Sequence, residues 1–329
     1  MRKSLTYKIL AAVMALSAAN WAVPANVLAG EIDTDGKYFV TDDGETISYS
    51  YNGVSGNGHS FTINGGKIHG KVFGAGNDNQ DYDKDASGGN VTINGYAEVT
   101  DAVYGGDSER GEVYNNTVNI SGGTIGSDKR SAYVYGGWSN SGSANDNEII
   151  ISGSADIENA NLYGRNSDVY GTGNTLTIDV WSGSTKFVQN FNDNAFKNIN
   201  WNENKPVLTI TAGDLTNTKI DTIHIAGGSN INVGESMTLI ESGYNTNLGL
   251  TEGNVTDTFT AGVAREGLGS TTIENGNVTF NVNSIKLSSQ AVGASQTRAA
   301  SAAFVNQVTD LISDSLDTIS RDDNYGVKT

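Results

Sequence analysis

The chain has no cysteine among its 329 residues, two prolines and three histidines. Without cysteine there is no disulfide framework. Two physical reasons suit that absence equally. A large core makes crosslinks unnecessary, or the chain crosses a second barrier unfolded, where a premature crosslink would block it. The histidines are His59, His69 and His224. The first two lie ten residues apart in neighbouring elements, a pattern that suits polar surface positions rather than a catalytic base. Basic residues are also short, 20 against 37 acidic, for a formal charge of −17. That balance argues against nucleic acid and anionic membrane surfaces as partners. Helix-forming residues are scarce before the last forty positions.

Long apolar runs are equally rare. The one candidate, Ile9 to Ala19, is shorter than the ~20 residues a membrane span needs. Arg2, Lys3 and Lys8 precede it and Val27-Leu28-Ala29 follows. The arrangement reads as a secretory signal, with cleavage between Ala29 and Gly30. The mature chain would carry 37 acidic and 17 basic residues. Such a charge favours solubility outside the cell.

What the chain does have is glycine, 41 residues of it, without the strict three-residue period of collagen. The glycines sit in a spaced echo: Val72-Phe-Gly-Ala-Gly, Val103-Tyr-Gly-Gly-Asp, Val134-Tyr-Gly-Gly-Trp, Leu162-Tyr-Gly-Arg and Val169-Tyr-Gly-Thr-Gly. The first three copies begin 31 residues apart, a period that signals a solenoid. Between the echoes stand alternating runs: Phe61-Thr-Ile63, Val91-Thr-Ile93, Val118-Asn-Ile120, Ile149-Ile-Ile151 and Leu176-Thr-Ile178. A period of two marks half-buried strands. The turns that follow are Asn-Gly or Ser-Gly, and there glycine supplies positive φ. Three short strands make one coil, and only stacking coils can bury the inward Val and Ile. The predicted fold is all-β, a parallel β-helix. Stacking would align Tyr104, Tyr135 and Tyr163 as a ladder with Phe73 below. The expected role of these rings is structural; a carbohydrate-binding stripe would need them to face outward.

Near Trp181 large apolar residues become frequent, as a coil closing an open core requires. After Lys286, Phe304, Val308, Leu311, Ile312, Leu316 and Ile319 recur at helical spacing. A helix over 288–320 would span about 50 Å. It could dock on the solenoid as a cap or serve as a linker.

The search for chemistry gives candidates rather than a constellation. Asp81, Asp83 and Asp85 place oxygens at alternate positions, as Ca²⁺ sites like, and Asp78 ends Gly74-Ala-Gly-Asn-Asp78, which resembles one turn of a calcium-binding nonapeptide repeat. An EF-hand fails, with Ala86 at the turn glycine and Thr92 at the closing Glu. Gly106-Asp107-Ser108 resembles the Gly-Asp-Ser of serine proteases, but Glu109 stands where that motif has Gly. A glycan-cleaving β-helix would draw on Asp101, Asp107, Glu109, Arg110, Asp128, Lys129, Arg130 and Arg165. None of these assembles a nucleophile with an oriented base.

The layout resembles the bacterial autotransporters of type V secretion. Asn190-Phe191 through Val207-Leu-Thr-Ile210 is similar to the last large coils of their passengers. Gly234-Glu-Ser-Met-Thr-Leu-Ile240 is similar to a Gly-x-x-hydrophobic-Thr-Leu-Ile strand. Ala299 to Leu311 resembles the helix that plugs the outer-membrane barrel, and Tyr325-Gly-Val-Lys-Thr329 the approach to its first strand. The resemblance implies a right-handed solenoid and an organisation into signal peptide (1–29), passenger repeats (30–204), folding segment (205–287), linker helix (288–320) and a stub (321–329). The barrel itself is not among these residues, so it would be supplied in cis or in trans. The implied function is an adhesin-like surface passenger binding host or bacterial surface glycan or protein, displayed at the cell surface with the barrel and periplasmic without it. A glycan-cleaving enzyme and a structural surface or matrix protein are the alternatives.

Overall fold

The structure is a computed structural model that describes residues 46–47, 60–68, 71–76, 84–166, 170–213, 219–227, 230–242, 256–274 and 276–322. Its body is a parallel β-solenoid of about six turns, followed by a single helix. The alternating runs form its longest sheet. Ser60–Ile63, Asn90–Ile93, Thr117–Ile120, Glu148–Ser152 and Thr175–Asp179 pair in parallel, one coil above the next. The register is strict enough to stack Ile63, Ile93, Ile120, Ile151 and Ile178 in one inward column, all at most 1% exposed. Burying each such side chain contributes about 1.5–3 kcal/mol. The column continues through Phe196, Ile223 and Phe259.

The Val-Tyr-Gly-Gly echoes form a second parallel ladder: Lys71–Gly76, Ala102–Ser108, Ala132–Ser139, Ala160–Arg165 and Phe187–Gln189. Val72, Val103, Val134, Leu162 and Val188 point inward, each fully buried. Two-residue strands complete the coils, including Lys67–Ile68 and Glu98–Val99 on one side and Val113–Tyr114 and Ala144–Asn145 on another.

A column of asparagines runs through the interior beside the valines. Asn116, Asn147 and Asn174 have no exposure. Asn116 donates from its backbone N (3.2 Å) and from Nδ2 (2.9 Å) to Asn147 Oδ1. Asn147 makes the same two bonds to Asn174 Oδ1, at 3.2 and 3.0 Å. Asn174 N donates to Asn192 Oδ1 at 3.0 Å, and Gly89 N donates to Asn116 Oδ1 at 2.8 Å. The remaining amide hydrogens reach backbone carbonyls: Asn116 to Ala86, Asn147 to Val113 and Asn174 to Ala144. Buried amides demand this degree of satisfaction. The column also explains the paired glycines. A Cβ on Gly106 would lie 2.4 Å from Asn116 Nδ2, and one on Gly137 2.5 Å from Asn147 Nδ2.

The aromatic stretch after Trp181 fills the core, with Trp181, Phe191 and Phe196 buried. It does not end the parallel ladder, which runs on through Lys219–Ile225 and Thr256–Ala261. Closure comes later. Arg265–Glu274 pairs antiparallel with Thr256–Ala261, and Asn277–Leu287 antiparallel with both Arg265–Glu274 and Ser236–Ser242. Ser236–Ser242 then continues in parallel to Leu208–Ile210 and Gly183–Thr185. The antiparallel strands thus join two parallel arms into one thirteen-stranded sheet. They give the C-terminal coils partners that are not further coils.

Helix α1 (Ser289–Asp322) leaves from this cap. Ser288 is its N-cap: Oγ accepts from Ala291 N at 3.2 Å and donates to Val263 O at 2.6 Å. Phe304, Val305, Val308, Leu311, Ile312 and Leu316 are all exposed. The apolar stripe is therefore not docked on the solenoid. None of the described helices is long and apolar enough to cross a membrane.

Candidate functional site

The outward face of the second ladder carries the aromatics. Strand alternation sends Val103 and Val134 inward and Tyr104 and Tyr135 outward. Phe73, Tyr104, Tyr135 and Tyr163 stack with ring centroids 4.9, 5.2 and 5.1 Å apart and interplanar angles of 10°, 9° and 18°. Tyr133 adds a second rank, 6.3 Å from both Tyr135 and Tyr163. The rings face outward, yet each covers its neighbour's flat side, so what the column offers solvent is ring edges. Sugars stack on ring faces; this geometry is that of a structural ladder. Burial pushes the Tyr135 phenol up to about 12, with Tyr163 and Tyr133 adding to the shift. Burial likewise raises Tyr104, reinforced by Asp107, and Tyr163.

A cleft of about 140 Å³ opens beside the column, lined by Lys71, Phe73, Tyr104, Asp107, Glu109 and Trp138. Register sets Trp138 beside Asp107 of the coil below. Lys71 Nζ lies 5.9 Å from the centre of the Tyr104 ring, a cation–π contact. Asn140 Nδ2 donates to Glu109 Oε1 at 2.7 Å. The volume is well below the ~300 Å³ of ordinary ligand pockets, so the cleft suits one side chain or a small ion.

The sequence candidates distribute as follows. Asp107 and Glu109 share this cleft. Asp101 instead pairs with Arg130 at 2.8 Å, Asp128 accepts from Asn159, and Arg165 donates to Asn166 O. Desolvation lowers the Arg165 pKa. Ser108 of the Gly-Asp-Ser run is buried, its Oγ donating to Lys84 O at 2.7 Å and accepting from Gly111 N at 2.9 Å. Ser139 repeats the arrangement one coil on, with Gly111 O and Gly142 N. Both serines therefore tie down loops. His224 Nδ1 accepts from Asn198 N at 3.3 Å, a contact between paired strands of neighbouring coils at a bulge. Of the calcium candidates, Asp85 accepts from Glu112 N at 2.8 Å, while Asp78, Asp81 and Asp83 lie outside the described residues. So do His59, His69, Ala29 and Gly30. Among the described residues, no cluster of His, Asp and Glu could hold a metal ion.

No match stands behind any of these surfaces. No family model, curated protein or solved structure matches the chain. What sequence reasoning missed is the asparagine column. Its signal was present two residues before each alternating run, at Asn116, Asn147 and Asn174. The residue before each of them takes positive φ: Asn115, Asp146 and Gly173.

Proposed function

We propose that this chain is the adhesin-like passenger of an autotransporter, a binding rod presented at the cell surface beside an outer-membrane β-barrel. The observation that carries the reading is α1. The helix follows a capped solenoid and keeps its apolar stripe exposed. An unpartnered stripe of this kind needs an enclosing partner. Its 34 residues reach about 50 Å, longer than the ~25 Å apolar band of an outer-membrane barrel. Parallel ladders without disulfides add support, since such a chain can pass a pore extended and fold coil by coil.

The test is surface labelling. Antibody raised against the purified chain should bind intact cells carrying the gene, and protease added outside should abolish the signal. Signal that emerges only after the outer membrane is opened would overturn the proposal.

A further inference from the structure

A second cleft, of about 370 Å³, lies at a corner of the solenoid, and its rim is strained. Two or three residues beyond the inward column the chain passes through the left-handed region: Gly66 at φ +77°, Gly95 at +61°, Gly123 at +73°, Gly153 at +58°, Val180 at +49° and, at a bulge within its strand, Asn198 at +50°. The register confirms the equivalence, since Ile151, Ile178 and Phe196 are paired partners. Glycine and asparagine suit such a turn; a β-branched valine is an outlier there. Val180 is 56% exposed, so core packing does not account for it. It stands on the rim of the cleft. Backbone strain of this sort gathers at ligand sites.

The lining has a consistent chemistry. Trp181, locked by Nε1 donating to Ala155 O at 2.8 Å, is buried in the core behind the cleft; Val180 and Pro206 supply the apolar part of a mainly polar lining. Asn200, Asn202 and Ser182 supply hydrogen-bonding groups. Lys205 is the one charged residue of the lining, in a chain with 37 acidic residues to 20 basic. It forms no ion pair among the described residues. The volume falls within the range of small-ligand sites, ~300–1,000 Å³. The small apolar patch of Val180 and Pro206 fits the C–H face of a sugar ring. Amides and a hydroxyl fit its hydroxyl groups, and a lone ammonium fits a carboxylate.

We infer that this cleft binds a carboxylate-bearing sugar residue. The inference rests on the adhesin reading only for where the ligand is met; binding itself is tested in solution, apart from surface display. The full chain is titrated by calorimetry with glucuronate, with N-acetylneuraminate, with a glucuronate-containing oligosaccharide and with glucose. Expected is saturable binding of the carboxylated sugars, at least about ten-fold tighter than glucose, since a paired charge is lost without the carboxylate. Lys205→Gln should bring them down to the glucose level with the melting temperature unchanged, because Lys205 is exposed. Val180→Gly keeps the turn, melts no lower than the parent and binds more weakly. Tighter binding of the oligosaccharide than of the monomer supports a polysaccharide residue as ligand, and equal binding supports a free sugar. Absence of saturation with both acidic monosaccharides, or an affinity indifferent to Lys205→Gln, overturns the inference.

Discussion

Asn147 accepts two hydrogen bonds from Asn116 inside a region with no solvent access. Truncating it to alanine strands both donors, and each unsatisfied buried group costs about 1–3 kcal/mol. Asn147→Ala should therefore destabilise the solenoid by about 3 kcal/mol, read as a lowered urea midpoint. Asn140→Ala, at an exposed position, should change stability by less than about 0.5 kcal/mol. The tyrosines make a pH prediction whose sign follows from burial. Tyr135 has a folded pKa of about 12 against an ordinary 10, so folding favours the neutral phenol. Its stabilisation is intact below pH 10 and lost as pH rises toward 12. Ultraviolet absorbance should show these phenols ionising late, together with loss of sheet signal in circular dichroism. Ionisation at pH 10 with the sheet intact would contradict the ladder.

At the scale of elements, strands and helix differ in what holds them. The strands of the long sheet are locked by register and by a buried column on one side. Helix α1 has its own hydrogen bonds and the Ser288 cap but exposed side chains from Val292 to Leu316. Long helices without tertiary packing are marginal in water. Amides of α1 should exchange with deuterium orders of magnitude faster than those of Val118–Ile120 or Ile149–Ile151. Equal protection would mean that the stripe is covered. The elements also show what a sequence reveals. The Ile and Tyr columns were legible because identical residues recur at like places in successive short runs and alternate with other residues. The helix was legible from its three- and four-residue spacing. The asparagine column was not, although Asn116, Asn147, Asn174 and Asn192 stand 31, 27 and 18 residues apart, the same steps as Ile120, Ile151, Ile178 and Phe196. Asparagine also fills the turns, so a buried copy looks like a surface one. The corner at Val180 was hidden for a different reason. A valine two places past Ile178 reads as strand, and only alignment with Gly95 and Gly153 exposes the demand for positive φ.

The whole molecule joins one repeating core to two unlike surfaces. One is the tyrosine face, whose rings support one another; the other is the corner cleft, where the repeat breaks its own glycine rule. Loop length varies among the coils without disturbing the ladders, because the polar insertions lie outside the stacked strands. Antiparallel strands finish the C-terminal side, so coils there meet a finished surface rather than an open edge. The asparagine column gives this stack a direction. In every step the accepting side-chain oxygen belongs to the later coil and the groups that donate to it belong to the earlier one. Each coil thus presents a side-chain oxygen to the chain that precedes it and a backbone carbonyl (Ala86, Val113 or Ala144) to the asparagine of the coil that follows. The rod is therefore polar along its axis: each buried asparagine turns its side-chain oxygen toward its N-terminal neighbour.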